Sequence, residues 1–113
     1  MKIVKDKISI KDLKKLAEEI FGNFVKAVVD IDKKIMAIGG ELHSDEEALL
    51  LKKGSEQKNL WGINIYPEIE DENRIEFDSM INLRPSQKNR SRGVDDPEIR
   101  KKIVGIVNNL IKE

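Results

Sequence analysis

Two strand-like runs on either side of an acidic turn constrain this chain more than anything else in it. The runs are residues 60–66 and 75–84, and the turn at 67–74 carries Glu68, Glu70, Asp71 and Glu72. Trp61, Ile63, Ile65, Ile75, Phe77, Ile81 and Leu83 share one parity, with Asn64, Tyr66, Glu76, Asp78, Asn82 and Arg84 on the other. A period of two is what a half-buried strand requires, because successive side chains point to opposite faces. Pairing Tyr66 with Arg74 sets Ile65 opposite Ile75, Ile63 opposite Phe77, Asn64 opposite Glu76 and Gly62 opposite Asp78. A slip of two would keep the faces the same. Glycine inside a strand often marks the close approach of something else. Here it predicts a notch beside Asp78, walled by Asn64 and Glu76.

The other segments arrange themselves around this pair. Ser9 can cap a first helix, with Asp12 at the capping-box position and Ile10, Leu13, Leu16, Ala17 and Ile20 as its apolar stripe. Gly22 suits the left-handed end of that helix. Residues 24–31 and 34–39 read as a hairpin around Asp32 and Lys33. One of its faces is apolar, while Lys26, Val28, Asp30, Ile35 and Ala37 make the other only half polar. Ser44 and Glu47 form a second capping box, opening a short helix that Gly54 closes. Gly39 and Gly40 before it do not make a phosphate loop, since no Gly-Lys-Ser/Thr follows and Asp45, Glu46 and Glu47 crowd the first turn. Asp96 and Pro97 start a third helix, with Ile99, Ile103, Ile106, Val107 and Leu110 as its stripe. The expectation is a single α+β domain over residues 1–113, in the order αββαββα. Its four-stranded, mainly antiparallel sheet would carry its helices on one face.

Charge and composition exclude whole classes of function. Basic and acidic residues both number 21, so no long-range field draws the chain to nucleic acid or to an anionic membrane. There is no cysteine, which removes disulfides, thiolate catalysis and cysteine-held metals, and fits a cytoplasmic protein. The start of the chain is charged and has no signal-peptide run. No stretch approaches the roughly 20 apolar residues of a membrane span.

The polar face of the two runs is the candidate site. Glu76 and Asp78 would lie about 6.5–7 Å apart at the backbone, close enough for both to reach one divalent cation. The wet face of any antiparallel sheet looks much the same, so alternation alone carries no chemistry. Asn64, Asn82 and Arg84 add hydrogen-bonding groups, and no lysine falls on that face of the two runs. The loop at 85–95 adds Asn89, Arg90 and Arg92, whose guanidiniums could clamp a carboxylate or phosphate. Pairing with Asp95, Asp96 or the acidic turn is their competing role. His43, the only imidazole, is either a solvated residue before a helix or a proton shuttle.

Three functions follow from these residues. The leading expectation is a binding module that holds an acidic small molecule or a protein partner on this face and loop. The second is a metal-dependent hydrolase or nuclease acting through Glu76 and Asp78, with a divalent cation as its only cofactor. The third is a structural or regulatory subunit of a complex. Val28, Ile35, Ala37, Tyr66 and Met80 dilute the polar face enough for a homodimer to use part of it.

Four motifs taken together add a resemblance. Leu60-Trp61-Gly62-Ile63-Asn64, Phe77-Asp78-Ser79-Met80-Ile81-Asn82-Leu83-Arg84-Pro85, Asn89-Arg90-Ser91-Arg92 and Ala37-Ile38-Gly39-Gly40-Glu41-Leu42 resemble a small prokaryotic family of uncharacterised proteins, a domain of unknown function. The similarity covers nearly the whole chain. It implies a self-contained domain and brings no activity, ligand or partner with it.

Overall fold

The computed structural model describes residues 1–113. Its elements run β1 (Lys2–Val4), β2 (Ile8–Ser9), α1 (Ile10–Ile20), β3 (Val25–Asp30), β4 (Ile35–Ile38), α2 (His43–Lys52), β5 (Leu60–Ile65), β6 (Ile75–Glu76), α3 (Pro97–Leu110) and β7 (Ile111–Lys112). Five strands form one antiparallel sheet in the order β1-β4-β3-β5-β6. β2 and β7 pair in parallel and tie the start of α1 to the end of α3. The fold class is α+β as expected, but the order αββαββα and the count of four strands are corrected. β1, β2 and β7 are two or three residues long, too short for alternation to reveal them.

Local signals account for two of the three helices. Ser9 caps α1, its hydroxyl accepting from the Asp12 amide at 3.0 Å, and Gly22 ends it at φ +102°. Asp96 caps α3 by accepting from the Glu98 amide at 2.9 Å, with Pro97 in the first turn. α2 departs from expectation. It starts at His43, with Leu42 in the extended cap position and no side chain bonded to the first turn. The expected Ser44–Glu47 box does not form. Glu46 instead reaches back and accepts from the Gly40 amide at 3.0 Å, tying down the loop before the helix.

The sheet is covered on both faces. Val25, Ala27, Val29, Met36, Ile63 and Ile65 pack against Leu13 and Ala17 of α1 and Ile103, Val107 and Leu110 of α3. On the other side Val28, Ala37 and Leu60 close around Leu50 of α2. Helices confined to one face are therefore corrected. The half-apolar face of β3 and β4 is itself a strip to be covered, worth roughly 1.5–3 kcal/mol for each large side chain buried.

The pairing of β5 with β6 keeps the expected register: Asn64 opposite Glu76 and Ile65 opposite Ile75. The Tyr66 amide adds a bond to Arg74 O at 2.8 Å. The expected strand over 75–84 then stops at Glu76, and residues 80–82 form a short 3₁₀ turn. The chain turns because Ser79 passes directly over Gly62, where an added Cβ would lie 2.5 Å from the Ser79 hydroxyl. The Ser79 amide is held by Arg92 O at 2.9 Å. What approaches the glycine is this chain itself.

Side chains take over where β6 leaves the edge of β5. Asn82 accepts from the Gly62 amide at 2.8 Å and donates to Gly62 O at 2.9 Å, copying the exchange that a neighbouring strand would make. Arg84 donates to Leu60 O at 2.6 Å and to Gln57 O, with its guanidinium 4.2 Å from the centre of the buried Trp61 ring.

Candidate functional site

The departure of the chain after Glu76 opens a cleft between the N-terminus of α2 and the β3–β5–β6 part of the sheet. Its volume is about 410 Å³. The floor is a row across three strands, Lys26 on β3, Asn64 on β5 and Glu76 on β6, placed side by side by the sheet register. Asp78 and Arg92 form one wall, and Leu42, His43 and Ser44 at the start of α2 form the other. Phe24, Tyr66 and Met80 give the rim an apolar side.

Each polar group has a defined setting. Asn64 and Tyr66 both donate to Glu76 Oε1, at 2.8 and 3.2 Å. Burial of its hydroxyl, then the charge of Glu76 and the bond to it, push the Tyr66 phenol up. Arg92 Nε donates to Asp78 Oδ1 at 2.7 Å. The Asn64 Oδ1, on a side chain only 7 % exposed, has no partner. Buried polar atoms are nearly always hydrogen-bonded, so an orphan beside a cleft marks a place for something else.

His43 is neither solvated nor free to swing. Its Nε2 lies 2.7 Å from Ile63 O, and a carbonyl can only accept, so Nε2 carries the proton. Burial holds its pKa below the usual histidine range, the Ile63 bond opposing and Lys26 assisting. The ring therefore stays neutral through physiological pH.

The expected site residues fall in three places. Asn64, Glu76, Asp78 and Arg92 come together in the cleft. Asn82, Arg84 and Asn89 are buried outside it, bonded to the backbone. The Asn89 amide group donates to Asn82 O at 2.7 Å and Gly93 O at 2.8 Å, and its oxygen accepts from the Asp95 amide at 2.8 Å. Asn89 thus organises the loop at 85–95. Arg90 sits exposed on that loop, its amide bonded to Asp95 at 2.8 Å.

A family model described as a protein of unknown function (DUF5674) matches residues 2–110. The chain belongs to this family. No curated protein and no solved structure matches it. In this DUF5674 chain no three His, Asp or Glu side chains converge closely enough to hold a metal ion. Oxygens of Glu76 and Asp78 are already engaged by Asn64, Tyr66 and Arg92. Lys26 is the cleft residue that a reading of the two runs alone misses. It enters through the long-range pairing of β3 with β5, which sets it opposite Asn64.

Proposed function

We propose that this chain is a binding module whose cleft holds a small acidic molecule. The observation that carries this reading is an uncapped α2 N-terminus opening into a cleft that Lys26 and Arg92 also line. First-turn amides without an acceptor, at the partially positive end of a helix, favour a negative group. The acidic first turn opposes this less than its residues suggest. Glu46 is fully buried and its pKa is pushed up to about 9, chiefly by burial, so it carries no charge near neutrality. Asn64 adds a second indication that the cleft takes a ligand: a buried oxygen with no partner in the chain, which a donor on that ligand would meet. The volume falls at the small end of the about 300–1,000 Å³ usual for small-molecule sites. No helix is long and apolar enough to cross a membrane, and the cysteine-free composition supports a cytoplasmic setting.

Amide shifts on titration with acetate, succinate and inorganic phosphate test the reading. An acid should move His43 and Ser44 first, and Lys26→Met should weaken the effect. Acids that leave both amides unmoved sink it. The metal-dependent alternative rests on Glu76 and Asp78 lining one cleft, without a third ligand beside them. Localised shifts over residues 62–82 from magnesium or manganese, with none from acids, would put that alternative in its place.

A further inference from the structure

Resting on the cleft reading above, we infer that the ligand is a small zwitterion of the free amino acid class, its ammonium over Asn64 and Glu76 and its carboxylate toward Lys26 and the start of α2. The floor of the cleft is polarised. Lys26, Asn64 and Glu76 stand in one row on adjacent strands, which places the cation and the carboxylate about 10 Å apart at the backbone. Neither is in an ion pair within the chain, whereas Asp78 and Arg92 neutralise each other at 2.7 Å. The cleft therefore keeps one uncancelled positive end and one uncancelled negative end. α2 packs on β3 and β4, so its N-terminal partial charge reinforces the Lys26 end.

The orphan oxygen decides against a plain acid. Asn64 Oδ1 can only accept, and Glu76 beside it is an acceptor as well. A carboxylate or phosphate brings no donor at neutral pH and leaves Asn64 unmet. An ammonium brings three donors and a charge opposite to Glu76. The rim suits an aliphatic side chain: Met80 and Leu42 are 62 % and 56 % exposed, and Phe24 lies 5.4 Å from Tyr66, ring centre to ring centre.

The test titrates the full chain with a panel of free L-amino acids, following amide shifts of His43, Ser44, Asn64 and Glu76. Each is matched by the acid lacking its amine and the amine lacking its acid, for example leucine, 4-methylpentanoate and 3-methylbutylamine. At least one amino acid should bind about tenfold or more tighter than both of its analogues, the worth of one charge-assisted bond at either end. Glu76→Gln should remove the preference over the amine-free acid by weakening the amino acid, while that acid, relieved of a like charge in the cleft, binds no less tightly. If amine-free acids bind as tightly as amino acids, the zwitterion inference falls and the acidic-ligand reading stands. If only amines bind, or nothing on the panel does, both fall.

Discussion

Gly62 shows how a single residue decides where a strand ends. A Cβ there would sit 2.5 and 2.6 Å from the Oγ and Cβ of Ser79, so a side chain and the crossing chain cannot share the space. Gly62→Ala should cost about 1–3 kcal/mol, the usual penalty for overpacking, as measured by urea denaturation. Asn82 is the counterpart of this glycine. Its side chain serves Gly62 N and O, and also Arg92 O at 2.9 Å. Asn82→Ala leaves these buried groups unmet and should cost on the order of 3 kcal/mol in the same assay. Equal stability of wild type and Asn82→Ala would mean that water replaces the amide there. The parity of Asn82 and Arg84 made them look like members of a binding face. Their partners are backbone groups, chiefly those of Leu60 and Gly62 on β5, which lie too far away in sequence for parity to show.

At the scale of elements, the legible parts are those written in local chemistry. Ser9 and Asp96 mark helix starts by their own hydrogen bonds, and alternation sets the Asn64–Glu76 register. The end of β6 is hidden because Phe77, Ile81 and Leu83 keep the strand's apolar parity after the chain leaves the sheet, with only Ser79 and Met80 breaking it. The face that α2 covers is hidden for a related reason. The cover of Val28, Ala37 and Leu60 depends on β3 pairing with β5, a contact distant in sequence. Four members of the candidate site were legible from their parity or their loop, and Lys26 was not. The uncapped α2 invites a test in which stability and binding move in opposite directions. Leu42 already has an extended backbone at φ −129° and ψ 139°. Leu42→Ser should therefore stabilise the fold by about 1 kcal/mol in thermal denaturation. By supplying the missing acceptor, it should also weaken acid-induced shifts at His43 and Ser44. A more stable variant with undiminished shifts would detach the helix end from the ligand.

For the molecule as a whole, Glu46 makes stability depend on pH in an uncommon direction. Its folded pKa of about 9 lies above the ordinary 4.5, with burial the main cause and the Gly40 amide opposing. Lys26 and the amino terminus also favour its charged form, and Asp45 disfavours it. The contribution is thus fully present below pH 4.5 and is lost as pH rises toward about 9. His43, with its folded pKa depressed, acts in reverse and withdraws stability as pH falls below 6.5. Comparing Glu46→Gln with wild type cancels the histidine. The variant's advantage should grow by on the order of 1–3 kcal/mol between pH 5 and pH 8 in denaturant titrations. A constant difference would place an ionised Glu46 in the fold. The side chains lying along β5 have one last consequence. Strand edges with free amides and carbonyls recruit strands from other molecules and so seed fibres. Because Asn82 and Arg84 already occupy Gly62 and Leu60, the flank left bare by the short β6 offers no template for amyloid-like stacking.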